Sequence, residues 1–458
     1  MNPFWWKMWK RRWKQVRSLS GALAMADLVI RGSEFDVAVE GEYISAVGRE
    51  LPGASLEIDA TGLTILPGLI DAHVHFNEPG RADWEGAKTG SRALAAGGGA
   101  VFVDMPLNST PCTVTAADFD EKRAALEAAS VADFALWGGL IPGHVKHMAE
   151  LSERGAVGFK AFLSNSGLPE FPRADDLTLY EGMREAARLG RPVAVHAESE
   201  EITAGLSKRL ISEGREDVAA FLESRPVVAE VEAIRRAAGL ARETGCALHI
   251  VHVSSGRGIA AALEARALGA DISIETCPHY LFFTEEDLLK IGSVAKCAPP
   301  LRSVAERDDL LRRALSGEVD IIGSDHSPCP PMMKERRSFF EIWGGITGVQ
   351  STLQVLWELG FDAASIAATT ARNPACRFGL RHRGALEVGN YADITLIDTT
   401  ASHAPTLLHR HKVSPYAGRP LRGVVRRTIR RGATIFVDGA VNNETKGQFI
   451  HADNSHAL

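Results

Sequence analysis

Gly68-Leu-Ile-Asp-Ala-His-Val-His75 is an apolar run that ends in two histidines one residue apart. Side chains alternate between the two faces of a strand, so His73 and His75 project the same way and their ring nitrogens can converge on one metal ion. A strand ending in a paired ligand points to a metal hydrolase. An isolated His-x-His is weak evidence, because short pairs arise by chance, and the reading gains its force from the rest of the chain.

Four further strand-like runs end in a residue able to hold a metal: Ala156-Val-Gly-Phe-Lys160, Pro192-Val-Ala-Val-His196, Leu248-His-Ile-Val-His252 and Val319-Asp-Ile-Ile-Gly-Ser-Asp325. Between them, Thr178 to Leu189, Ala229 to Thr244 and Gly256 to Leu268 have helix-forming composition. The repeat of strand, helix and strand predicts a parallel α/β barrel of the (β/α)8, TIM-like class. Chemistry in such barrels sits at the carboxyl ends of the strands. Taken singly, a strand-end histidine more often makes an ordinary hydrogen bond, a buried aspartate caps a helix and a lysine snorkels. Five such positions on one rim are hard to explain that way.

A barrel takes roughly 250 residues, so a chain of 458 leaves room for a second module. The barrel is expected over 67–385. Residues 26–66 and 386–440 read as short strands broken by Gly and Asp turns, among them Leu28-Val-Ile-Arg, Tyr43-Ile-Ser-Ala-Val, Ile394-Thr-Leu-Ile-Asp and Thr434-Ile-Phe-Val. Flanking the barrel on both sides, they are expected to meet as one small β-sandwich, each half covering edges of the other. Met1 to Arg17 carries four of the eight tryptophans (Trp5, Trp6, Trp9, Trp13) and six Lys or Arg, a composition compatible with a basic amphipathic helix on a membrane surface. Residues 1–24 are nevertheless expected to be a dispensable extension, disordered or amphipathic, because Met25-Ala-Asp-Leu-Val-Ile-Arg-Gly opens ordinary strand-like sequence. The polar stretch 441–458 is expected to be a flexible tail.

A net charge of −6 offers no general excess of positive charge for nucleic acid, and no apolar run is long enough to span a membrane. The six cysteines (Cys112, Cys246, Cys277, Cys297, Cys329, Cys376) are scattered without a Cys-x-x-Cys pair. That distribution fits reduced thiols in a cytoplasmic setting better than a disulfide framework.

Longer motifs surround the rim positions: Asp71-Ala-His-Val-His-Phe-Asn-Glu-Pro-Gly-Arg81, Gly158-Phe-Lys-Ala-Phe-Leu-Ser164, Val195-His-Ala-Glu198, His249-Ile-Val-His-Val-Ser-Ser255, Glu275-Thr-Cys-Pro-His-Tyr280, Lys296-Cys-Ala-Pro-Pro-Leu-Arg302 and Gly323-Ser-Asp-His-Ser-Pro-Cys329. In these, from Ala26 to about Gly439, the chain resembles the amidohydrolase superfamily, in its cyclic-amidase branch with dihydroorotases, hydantoinases and allantoinases, and is most similar to the allantoinase family. The resemblance implies a binuclear site in which His73, His75, Lys160 and Asp325 hold one divalent ion while Lys160, His196 and His252 hold the other. It further implies that Lys160 is an N-carboxylated (carbamate) lysine formed with carbon dioxide, that Asp325 is the catalytic proton carrier, and that the subunits form a homotetramer. The metal would be zinc, with cobalt, manganese or iron compatible with the same ligands. The implied activity is hydrolysis of the hydantoin ring of allantoin to allantoate, in purine nitrogen catabolism.

The odd lysine has a chemical rationale. A free ammonium beside two dications is repelled, whereas the neutral amine and carbon dioxide give an anionic carbamate whose two oxygens can bridge them. Substrate choice turns on departures from relatives. Dihydroorotases of this branch place an Arg two residues after the His-x-His pair and a His four residues after the catalytic Asp, both engaging a substrate carboxylate. Here those positions are Asn77 and Cys329. Hydantoinases and dihydropyrimidinases place a Tyr five residues after the carbamylated Lys, where this chain has Asn165. Allantoin is an uncharged ring with a ureido arm, so Asn77, Ser164 and Asn165 are the expected substrate contacts, although Asn77 could equally shape the loop before Pro79. Arg81 is the nearby cation that a folded loop could return to the pocket. The alternatives are a dihydroorotase or a hydantoinase-type cyclic amidase and, less favoured because the ligand set is complete, a non-catalytic scaffold.

Overall fold

The computed structural model describes residues 26–453, so the expectations for residues 1–24 lie outside the described residues. Strands β1 (Ala26–Gly32), β2 (Asp36–Glu40), β3 (Tyr43–Gly48) and β4 (Ala54–Ala60) form a sheet in the order β3-β2-β1-β4. Strand β5 (Thr64–Pro67) leaves it and pairs antiparallel, Leu66 opposite Thr395, with β15 (Ile394–His403), more than 300 residues later. Strands β16 (Leu421–Arg430), β17 (Ala433–Val437) and β18 (Ala440–Val441) complete this second sheet. Leu28, Ile30, Val37, Val39, Ile44 and Ile58 of the first sheet share a buried cluster with Ile65, Ile394, Leu396 and Ile429 of the second. Alternate residues thus face inward, as in a two-sheet sandwich.

Between the two halves lie β6 (Leu69–Val74), β7 (Gly99–Asp104), β8 (Asp133–Leu136) continued by β9 (Gly138–Gly139), β10 (Phe159–Phe162), β11 (Val193–His196), β12 (Leu248–Ile250), β13 (Ile272–Thr276) and β14 (Ile321–Ile322). Neighbours along this series pair in parallel. Every residue of β6 and β7 is buried, the signature of strands covered on both faces. The outer helices follow from apolar spacing: in Asp176–Arg188, Leu179, Gly182, Met183 and Ala186 face inward and the Asp175 side chain caps the start by accepting from Thr178 N–H at 2.8 Å. Gly158 lets β10 approach β11, since a Cβ there would lie 2.5 Å from the Pro192 carbonyl. The barrel closes between β14 and β6, where His75 N–H donates to His326 O (2.8 Å) and Ser324 N–H to Asp71 Oδ1 (3.0 Å).

Two expectations need correction. The polar tail is not free over its described part: Gly447 N–H donates to Ser130 O, Phe134 N–H to Gln448 O and Ile450 N–H to Phe134 O, and Ala452 is buried. Backbone pairing against β8, not side-chain polarity, decides its fate. Gln448 N–H also donates to Asp133 Oδ1 (2.9 Å), a buried carboxylate that receives Arg383, Arg430 and Arg431 as well. Asp133 therefore ties the tail and the end of β16 to the foot of the barrel. Second, Lys160 does not end its strand. It is the second residue of β10, which continues to Phe162 in register with His196.

Candidate metal centre

His73, at the end of β6, and His75, just beyond it, meet Asp325, three residues past β14, with one ligand-capable atom of each within 4.8 Å of the others. The Nε2 atoms of His73 and His75 lie 3.3 and 3.5 Å from Asp325 Oδ1. The partner of His73 fixes its tautomer. His73 Nδ1 lies 2.8 Å from Glu275 Oε1, and a carboxylate only accepts, so Nδ1 carries the proton and Nε2 the lone pair. His75 places Nδ1 3.5 Å from the Leu107 carbonyl and Nε2 equally far from Asp325 Oδ1. The bare His73 nitrogen, the His75 ring and a carboxylate oxygen thus converge, an arrangement suited to a cation.

A second group lies alongside. His196, closing β11, brings Nδ1 to 3.1 Å from His252 Nε2, and its Nε2 donates to Glu198 Oε2 at 2.8 Å, which again leaves the inward nitrogen bare. The rings of His73 and His252 have centroids 5.5 Å apart, so the two groups adjoin. Lys160 Nζ is fully buried without a hydrogen-bond partner, 4.7 Å from the Phe162 ring. Phe162 in turn stacks on His196 at 4.4 Å.

Electrostatics suit this use. Burial pushes the Lys160 amine down to about 7 and holds the imidazoles of His75, His196 and His252 below their ordinary value, keeping them neutral. Burial alone would raise Asp325, but His73 and His75 outweigh it and bring the carboxyl down to about 2. Three residues of the centre adopt left-handed backbone, Asn77 (φ 64), His252 (φ 41) and Asp325 (φ 44), conformations that cost about 1–3 kcal/mol each and persist where surroundings enforce them.

Two carboxylates outside the expected set orient the histidines. Glu275 holds His73 and also accepts from His252 N–H (3.2 Å) and His249 Nε2 (3.2 Å). Glu198 holds His196 and is paired with Arg225. Both lie in the motifs quoted above, but their partners stand on other strands or at a spacing with no metal-binding pattern of its own. A ring nitrogen bonded to a carboxylate behind it is the usual outer support of a metal-bound histidine.

The expected substrate contacts divide. Asn77 is fully buried with Oδ1 unpartnered, its Nδ2 3.4 Å from Pro328 O, and Ser164 is fully buried with Oγ unpartnered. Asn165 is exposed, lines a cleft of about 360 Å³, and spends its Oδ1 on Gly167 N–H at 2.9 Å. Arg81 is paired with Glu170 and lies 5.0 Å over the Trp84 ring, so its charge is already engaged.

The sequence pattern of the amidohydrolase family matches residues 64–439. The chain is 60% identical over 443 residues to a Solibacter usitatus protein named allantoinase, covering 93% of this chain and 97% of that one. It is 52% identical over 441 residues to an allantoinase of Rubrobacter xylanophilus, with 93% and 97% covered. Among solved structures it is similar to the L-hydantoinase (dihydropyrimidinase) from Arthrobacter aurescens, with a TM-score of 0.90 at 31% identity over 93% of this chain and 100% of that one. With a convergence of His and Asp at the rim of its barrel and matches that run along most of its length, the chain belongs to the amidohydrolase family.

Proposed function

We propose that this protein opens the hydantoin ring of allantoin by hydrolysis of a ring amide, giving allantoate. The observation that carries the reading is the 60% identity, along nearly the whole of both chains, to an allantoinase. The L-hydantoinase superposes closely at only 31% identity, so the barrel is common ground while the residues follow the allantoinases.

His73, His75, Asp325 and Lys160 would hold one divalent ion and Lys160, His196 and His252 the other, with zinc our assignment and cobalt, manganese or iron compatible with the same donors. Lys160 suits the bridging role: a buried, unpartnered amine brought to about 7 reacts in its neutral form with carbon dioxide, losing a proton and gaining a carboxylate. Bound there, such ions supply Lewis acidity and bring the pKa of a water towards neutrality. Asp325 handles the proton. Ionised at neutral pH, it accepts the proton of the attacking water and passes it to the departing ring nitrogen, serving as base and then acid. Asn77 Oδ1 and Ser164 Oγ, buried and unpartnered, are assigned to the donors and acceptors of the substrate, and Asn165 to the outer end of its ureido arm.

Dihydroorotate is disfavoured by the same surroundings. Asn77 and Cys329 offer its carboxylate no cation, and Arg81 is committed to Glu170. Each missing charged hydrogen bond forfeits about 1.5–3 kcal/mol, or about ten- to a hundredfold. We place the enzyme in the cytoplasm as a homotetramer. All six cysteines are unpaired, and no helix among the described residues is long and apolar enough to cross a membrane. The deciding experiment is a ring-opening assay of the metal-loaded protein on allantoin, dihydroorotate, hydantoin and dihydrouracil side by side. The highest kcat/KM is expected for allantoin, and a preference for any of the other three overturns the assignment.

A further inference from the structure

A second group of ligand-type side chains lies behind Asp325. Glu85, His326 and His409 are all buried, with one atom of each within 4.8 Å of the others. They arrive from three parts of the chain: the loop after β6, the residue following Asp325, and the excursion between β15 and β16. Glu85 Oε2, His326 Nε2 and both ring nitrogens of His409 have no hydrogen-bond partner, and the rings of His326 and His409 stack with centroids 5.0 Å apart.

The group resembles a metal site only in composition. Gly348 N–H donates to His326 Nδ1 at 3.2 Å, so in the neutral ring Nδ1 bears the lone pair and Nε2 the proton. That proton-bearing nitrogen lies 3.7 Å from Glu85 Oε2, while Glu85 Oε1 accepts Arg410 N–H at 3.0 Å. A donor faces the carboxylate here across 3.7 Å, and His409 stacks on the other side of the same ring, so the His326 side chain is held between a charge and a ring.

What it grips is informative. His326 N–H donates to Ser324 Oγ (3.1 Å), and His326 O accepts His75 N–H (2.8 Å). The residue between Ser324 and His326 is Asp325, in its left-handed conformation. A strained non-glycine backbone persists only where neighbours hold it on both sides, and on the carboxyl side the neighbour is His326. We propose that Glu85, His326 and His409 are positioning residues for Asp325, anchoring the His326 side chain so that the backbone before it presents the Asp325 carboxylate to His73 and His75. This rests on the reading of Asp325 as the proton carrier.

Glu85→Gln is the decisive variant. Its amide oxygen can keep the Arg410 N–H bond, which turns the NH2 group towards His326 Nε2–H, donor against donor. His326 cannot escape by switching tautomer, because Nδ1 would then oppose Gly348 N–H. His326→Asn keeps an acceptor near Gly348 and removes the arm towards Glu85. Both variants, the double variant, His409→Phe and Asp325→Asn are compared with wild type for kcat, KM, metal per subunit and melting temperature, using whichever of the four cyclic amides wild type opens fastest. Misplacement of a reacting group by about 1 Å costs on the order of a hundredfold, so kcat in Glu85→Gln and in His326→Asn is expected to fall about ten- to a hundredfold. With metal supplied in excess, KM should stay within twofold, and the double variant should be no worse than the poorer single one, because both break one linkage. A wild-type kcat in Glu85→Gln beside a collapsed Asp325→Asn overturns the proposal alone, as do losses that merely track lost folded protein, or effects that multiply in the double variant. A third metal ion per subunit that vanishes with Glu85→Gln replaces it with a cation site. A near-normal rate in Asp325→Asn removes the proton-carrier reading and the proposal with it.

Discussion

Replacing Glu275 with Gln tests whether the centre depends on the charge behind its first histidine. Glu275 Oε1 accepts from His73 Nδ1 at 2.8 Å and His252 N–H at 3.2 Å, and Oε2 accepts from His249 Nε2 at 3.2 Å. In Glu275→Gln the amide oxygen can stay at the Oε1 position and serve both donors. The NH2 group then faces His249, which can reverse its tautomer because its other nitrogen lies 2.9 Å from the Ser273 hydroxyl, a group that both donates and accepts. The fold should survive. What disappears is the charge on the His73 bond, which falls from about 1.5–3 kcal/mol to about 0.5–1.5 kcal/mol, close to tenfold in an equilibrium constant. Lower basicity of the His73 ligand nitrogen adds to this, and outer carboxylates of this kind are worth about 10–100-fold in metal affinity. Metal-free protein titrated against a competing chelator should show that loss, while the melting temperature of the metal-free form stays near wild type. Affinity within twofold of wild type would refute the assigned role of Glu275.

Lys160→Ala should lose both metal and activity, with short carboxylic acids restoring part of each by replacing the bridge; full metal content by elemental analysis contradicts the carbamate. Asp133→Asn leaves Arg383, Arg430 and Arg431 around a neutral side chain and should cost about 3–5 kcal/mol in urea unfolding, a loss under about 1 kcal/mol showing that the network contributes little. Burial would raise Glu198, but Arg225 and His196 bring it down to about 2 from its ordinary 4.5. A depressed carboxylate contributes stability that is present above pH 4.5 and lost as pH falls through about 2, so the metal-free Glu198→Gln protein should show a flatter acid limb than wild type in that window, and parallel curves would contradict the pairing.

The rim of the barrel was legible because metal ligands in this architecture follow apolar runs, and such runs are visible in a linear chain. His73, His75, His196, His252 and Asp325 all stand at or just beyond strand ends for that reason. Lys160 read as a strand end because the run before it is apolar, yet β10 continues through Ala161 and Phe162, which are apolar too and mark no boundary. The supports were not legible: Glu275 meets His73 across 202 positions, and nothing local to either residue announces the pairing. Asn165 is read as a substrate contact from the donors and acceptors of allantoin, and the turn its Oδ1 closes onto Gly167 two residues on, a local pairing common to asparagine, leaves its Nδ2 for that contact. The docking of residues 447–453 depends on backbone donors and acceptors that every residue possesses, so polar composition could not reveal it.

The sandwich is divided in time as well as in sequence. Its first sheet is finished at Ala60, and the strand that completes its core, β15, starts at Ile394, so about 330 residues of barrel are made in between. At about 5–20 residues per second, the nascent chain carries Leu28, Ile30, Val37, Val39 and Ile58 without their partners for roughly 17 seconds to a minute. The barrel strands are thus able to form early, and the sandwich closes late, together with His409 and residues 447–453, which dock back on the barrel. Synthesis stalled before residue 394 leaves that apolar face uncovered, which makes the opening strands the region where chaperone dependence and aggregation of incomplete chains concentrate.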